Sequence, residues 1–211
     1  MYYLQCLTQS VVLNKKIVPK WARKIKRWNQ LDGAAFTLAE VSHPLKKEIL
    51  GTELVVLSSS LSSIQTDHEF YRSPSAAKFV HTLPNVRATA LLQVCELKVP
   101  VLSVENGQHS LFSALEEAIS LVYDGSYKKV LIASIELIEN DQYRWDIFTI
   151  NINGPYFKSP HSIDYYCTAL DDGGAEKNYL DNNTLRQLLF TDLRTQRFIR
   201  VGHFQLKTME N

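Results

Sequence analysis

The sequence predicts an α/β protein with a mixed, largely parallel sheet and helices packed on it. Three observations lead there. The runs at 99–104 and 130–135 are apolar and of strand length, as expected for strands buried on both faces. Between them, Leu111, Leu115, Ala118, Ile119 and Val122 recur on one helical face, with Glu116, Glu117 and Ser120 opposite. Asn106-Gly107 and Asp124-Gly125 punctuate the two ends as a sharp turn and a left-handed C-cap. Strand, helix, strand in that order is a βαβ unit, with a right-handed crossover and parallel strands.

The other elements follow along the chain. The first dozen residues, through Val11-Val12-Leu13, read as a strand. Residues 15–28 are basic, with Trp21, Ile25 and Trp28 at helical spacing. They predict a short amphipathic helix starting near Pro19, its aromatic side on the core; a docking patch for an acidic partner is the alternative. Leu54-Val55-Val56-Leu57 reads as a buried strand running into a serine-rich loop. Residues 74–97 are helical in pattern, broken at Pro84, because proline lacks the amide donor and clashes with the preceding turn. Ala88, Leu91, Leu92 and Cys95 form the apolar face of the second piece. Residues 143–151 alternate as a strand with one face better buried than the other. Residues 154–174 are rich in turn formers, 184–191 read as a short helix and 198–206 as a last strand. No linker divides the chain, so 1–211 is expected to be one domain.

Composition narrows the function classes. The chain has 211 residues, 45% hydrophobic and 21% charged, as in an ordinary globular protein. Its formal net charge of +1 gives no bulk attraction to nucleic acid. Trp21, Trp28 and Trp145 read as packing anchors rather than a base-stacking platform. Cys6, Cys95 and Cys167 are far apart and form no C-x-x-C pair, which argues for buried free thiols over a zinc or redox site. Asp171-Asp172-Gly173-Gly174 reads as a turn rather than a cation site, and no glycine-rich phosphate pattern follows Asn106-Gly107. No cofactor or metal is expected. The N-terminus lacks a signal-peptide pattern, and no apolar run approaches the ~18 residues of a membrane span, so a cytoplasmic protein is expected.

Three stretches, in order, resemble the N-terminal half of the β-ketoacyl synthases, which have the thiolase fold. Leu83-Pro84-Asn85 opens an alanine-bearing helix, similar to one near the dimer interface of those enzymes. Lys98-Val99-Pro100 leads from helix to strand where the family usually has Gly-Pro. Residues 101–135 resemble its nucleophile elbow, and counting back from Leu121-Val122 and Gly125 puts Gln108 at the position of the nucleophilic cysteine. The resemblance covers residues 52–137 and implies half of a thiolase-like fold. By length and pattern it is nearest to the short chain-length-factor subunits that accompany a full ketosynthase in aryl-polyene-type clusters.

The resemblance also implies what the chain does. Condensation in the family needs a thiolate at the start of a buried helix and two histidines from the second half of the fold. Gln108 has an amide, which is no nucleophile. The chain's histidines, His43, His68, His81, His109, His161 and His203, fall in no second βαβ repeat. The expectation is therefore a non-catalytic subunit that pairs with a full-length ketosynthase in polyketide or fatty-acid-type biosynthesis, within reach of an acyl carrier protein. The strand Val101, Leu102, Val104 would lie at the partner. His81, Pro84, Asn85, Ala88, Gln108, Leu111 and Phe112 are the further candidates for interface and acyl tunnel. Two alternatives stay open. One is a free-standing enzyme, a decarboxylase through Gln108 or an acyltransferase through Ser110. His109-Ser110-Leu111 resembles the acyltransferase elbow but lacks its flanking glycines. The other is a homodimeric acyl-binding scaffold.

Overall fold

A computed structural model describes residues 2–14, 20–25, 28, 31–60, 64–138, 142–152, 163–169, 179–190 and 198–208. Along the chain these are β1 (Tyr2–Asn14), α1 (Gly33–Ser42), β2 (Leu54–Ser59), α2 (Ile64–Arg72) and α3 (Ala76–Thr82). They continue with α4 (Ala88–Cys95), β3 (Val101–Val104), α5 (Ser110–Tyr123), β4 (Lys129–Leu137) and β5 (Gln142–Asn151). β6 (Ile163–Ala169), α6 (Asn182–Phe190), β7 (Ile199–Val201) and β8 (Phe204–Thr208) complete them. Short 3-10 turns stand at Lys20–Lys24, Pro84–Arg87 and Gly107–His109.

The strands form one sheet in the order β3-β2-β4-β5-β1-β6-β8-β7. β2 pairs in parallel with β3 and β4, and every other pairing is antiparallel. In the first five strands of that order, β3, β2, β4 and β1 therefore run one way and β5 the other. This is the mixed α/β sheet the sequence predicts, extended by β6, β8 and β7.

Helices cover both faces, and strand periodicity sorts the side chains between them. Val55, Leu57, Leu131, Ala133, Ile135, Trp145 and Ile147 face α1 and α4. Leu54, Val56, Val130, Ile132, Phe148 and Ile150 face α5 and α6. The predicted apolar face of α5 is buried in full, and Gly125, directly after the C-cap Asp124, takes the left-handed φ of +81.

Several expectations change. Residues 198–206 are not one strand: Gly202, at φ +56, turns the chain between β7 and β8. β5 is buried on both faces from Trp145 onward rather than on one. Helices α1 and α2 and strand β6 were not anticipated. In α1 nearly every residue is buried, so no polar stripe marks it as helical. Its signal is the cap, where Asp32 Oδ1 accepts from Ala35 N–H at 2.6 Å. Trp145 is a packing anchor as expected, and its Nε1–H donates to Thr37 on α1 at 2.8 Å. Trp21 stacks on His43 and Phe36, so the described part of the basic segment has its aromatic side on the core. Lys15, Lys16, Lys26, Arg27 and Asp171 to Gly174 lie outside the described residues. Among the described residues no helix is long and apolar enough to cross a membrane, and no cluster of metal-ligating side chains occurs.

Candidate functional site

The βαβ unit builds the site at the end of the parallel strands, where α/β sheets place their ligands. After β3 the chain turns at Gly107, whose φ of +51 suits glycine, passes through the 3-10 turn and enters α5. Asn106 ties the turn together: its N–H donates to Ser110 Oγ at 2.8 Å, and its side-chain amide donates to Ser113 Oγ at 2.9 Å. Gln108 is exposed on the turn. Its Nε2 lies 3.2 Å from His109 Nε2. On its other side His109 meets the Leu180 carbonyl at 3.2 Å. A carbonyl only accepts, so Nδ1 carries the proton and Nε2 accepts from Gln108.

Ser110 has no access, and no base reaches it among the described residues. Its hydroxyl is fully buried, with Ser59 O and Gly107 O as acceptors, each at 2.8 Å. Both His109 nitrogens face elsewhere. The acyltransferase alternative therefore lacks an assembled nucleophile at this position.

The site holds residues that the sequence reading missed. Asn182, at the start of α6, accepts from Leu111 N–H at 3.0 Å. Tyr179 packs edge-on against Phe112, with ring centroids 5.2 Å apart. Arg186, one turn beyond Asn182, donates through Nε to the fully buried Asp146 and through Nη1 to Glu136 at 2.5 Å. Arg144 reaches the same Glu136 carboxylate at 3.3 Å. These partners are 40 and 50 residues from Arg186 in sequence, so no local spacing marks them. The one local signal is Asp181, a helix-capping residue before an apolar periodicity. Its carboxylate accepts from Asn183 N–H, Thr184 N–H and the Thr184 hydroxyl, which hold its pKa below the usual carboxylate value.

The remaining predicted site residues separate into two groups. Ala88, Leu111 and Phe112 are fully buried against their own chain, because they supply the inward faces of α4 and α5. They line no open surface of the described fold. Val101 and Val104 are half-buried, and Leu102 and Asn85 are exposed. The side chains of His81 and Pro84 lie outside the described residues. β3 is an edge strand, paired only with β2 among the described residues. Beside it stand the Pro84–Arg87 turn and α5, and α3 packs on the far side of that turn, with α2 on α3. At this edge Leu102 is exposed on β3, and Leu83 is exposed where the neighbouring turn begins.

No protein-family model and no curated protein matches the sequence. Solved structures do match the fold. A chain in the ketosynthase (ApeO) in complex with its chain length factor (ApeC) from Xenorhabdus doucetiae superimposes with a TM-score of 0.60 at 14% identity. The match covers 98% of this chain and 99% of that one. The ishigamide ketosynthase/chain length factor gives a TM-score of 0.54 at 16% identity, over 73% of this chain and 54% of that one. The fold is thus the thiolase-like fold of the ketosynthases, as the resemblance implies.

Proposed function

We propose that this chain is a non-catalytic, chain-length-factor-like subunit that pairs with a full-length β-ketoacyl-acyl-carrier-protein synthase and helps shape its acyl tunnel. The observation that carries the reading is the β3 edge. It has no partner strand on its outer side among the described residues, it lies next to the Gln108 turn, and exposed apolar side chains flank it. An open strand edge beside apolar surface favours association, and its backbone groups gain partners when a second strand adds to it. The end-to-end match with a chain from a ketosynthase/chain-length-factor complex supports a ketosynthase as the occupant. Gln108 and the sequestered Ser110 hydroxyl support the absence of condensing chemistry in this chain.

The test is co-expression with a full-length β-ketoacyl-acyl-carrier-protein synthase that carries the cysteine and both histidines. A co-purifying heterodimer is expected, and Leu102→Lys, an exposed change on β3, should disrupt it while leaving the fold intact. A monodisperse monomer that ignores the synthase would refute the reading. The same edge also fits a second copy of the chain, paired about a two-fold axis as an acyl-binding scaffold. A homodimer that persists with the synthase present would favour that. Malonyl-carrier protein mixed with the purified chain and followed by mass spectrometry tests the decarboxylase alternative, whose turnover should vanish in Gln108→Ala.

A further inference from the structure

The first amides of a helix have no partner within it, and in an acyl-processing elbow such donors face the substrate carbonyl. In this chain a downstream segment approaches them. Asn182 Oδ1 takes the Leu111 N–H from 71 residues away. The Leu180 carbonyl takes the proton of His109 Nδ1. Tyr179 lies against Phe112 and, at 6.1 Å between ring centroids, beside His109. Asp181 caps α6 with three hydrogen bonds and so fixes how the helix begins. Asn182 and Arg186 are four residues apart, on one face of α6. Both are buried, one toward the start of α5 and the other in the ion pairs with Asp146 and Glu136.

We infer that residues 179–182 are a built-in plug, an autoinhibitory contact in which the chain occupies the start of its own elbow helix. Arg186 is the positioning residue that holds the plug in place. Loss of the nucleophile is then only half of why this elbow is silent, because a restored thiol would still face a capped helix. The inference concerns the chain alone and does not depend on pairing with a synthase.

The experiment uses the full chain carrying Gln108→Cys, with iodoacetamide as the probe and alkylation followed by intact mass across pH. The introduced thiol is expected to titrate near the ordinary cysteine value, about 8.5. Adding Asn182→Ala frees the Leu111 amide and should raise alkylation at pH 7 about three- to fivefold, the effect of one helix-end interaction. Asn182→Ser, which keeps an acceptor, should restore the slower rate. Hydrogen exchange at the Leu111 amide supplies a readout that needs no variant. Slow exchange in the parental chain is expected, faster exchange in Asn182→Ala and Arg186→Met, and intermediate exchange in Arg186→Lys. A thiol already depressed by more than a unit in Gln108→Cys alone would overturn the plug. So would solvent-like exchange of the Leu111 amide in the parental chain, or an Asn182→Ala variant that folds and changes neither readout. Failure of the pairing reading shows instead in co-purification, which none of these measurements touches.

Discussion

Asp146→Ala should be among the most destabilising single substitutions in the chain. Asp146 is fully buried in the middle of the sheet, and its carboxylate meets the guanidinium of Arg186, itself 5% exposed. Removing one member of a buried pair strands the other charge and costs about 3–5 kcal/mol. Here Arg186 keeps Glu136, at 22% exposure, so the loss should fall at the lower end, about 3 kcal/mol. Arg186→Ala should cost more, about 4–5 kcal/mol, because Asp146 and Glu136 both lose it, Glu136 keeping only Arg144 of its two arginines, and because it leaves a cavity. Replacing the pair together, Asp146→Leu with Arg186→Met, should cost less than the two single changes added, since apolar replacements of buried pairs are often near neutral. Urea unfolding followed by circular dichroism measures all of these. A loss of about 3 kcal/mol moves the midpoint by about 1–3 M at usual slopes. A midpoint for Asp146→Ala within about 0.3 M of the parent, or a strictly additive double variant, would refute the argument that the pair is buried and coupled.

Burial pushes the thiols of Cys95 and Cys167 up to about 12, so at pH 8 only about one in ten thousand would be thiolate. All three cysteines are buried and free, and Ellman's reagent should find none in the native chain and three after denaturation. Gly33→Ala would put a Cβ 2.8 Å from Tyr143 Cε2, inside packed core, and should cost about 1–3 kcal/mol by urea unfolding. Asp181 has a folded pKa below its unfolded value, so its contribution is present above about pH 4 and lost as pH falls through the lowered value. Asp181→Ala should accordingly lower the thermal midpoint at pH 7, by an amount that shrinks as pH falls through the lowered value. In a reconstituted pair, Asn85→Trp, an exposed change on the Pro84 turn, should shorten the acyl product seen by mass spectrometry. An unchanged product distribution would remove that turn from chain-length control.

The sequence was most legible where periodicity and punctuation agreed. Helix α5 runs from Ser110 to Tyr123 as read, because an apolar stripe, a glycine turn and a glycine cap define it locally. Buried strands β2 and β4 were clear from their apolar runs. The uniformly buried α1 was not, since helical reading depends on a contrast between faces that it lacks. The 198–206 segment read as one strand because the Gly202 turn sits inside an otherwise strand-like pattern. At the site, Gln108 was found through a motif. Asn182, Arg186 and Asp146 were not, because their partners come together only through the fold. Asp146 even occupies the position in β5 that alternation assigns to the less buried face.

That same ion pair bears on where an acyl chain would pass. On the face covered by α5 and α6, the sheet is apolar at Leu54, Val56, Val130 and Ile132. Two residues further along each strand it becomes polar, with Ser58, Ser134 and Asp146 side by side in register. The Ser58 and Ser134 hydroxyls and Arg186 Nη2 are buried with no hydrogen-bond partner among the described residues. These groups are already shut away from water, so they offer an acyl chain no accessible surface. Leu111 and Phe112 close the apolar remainder of that face with no exposed surface. On the proposed reading, any contribution of this chain to an acyl tunnel therefore comes from the opposite quarter. There Leu83, Asn85 and Leu102 stand exposed beside the β3 edge, at the position where the partner would add its strand. Interface and tunnel wall then become one surface, so a substitution that loosens pairing should also broaden the distribution of chain lengths.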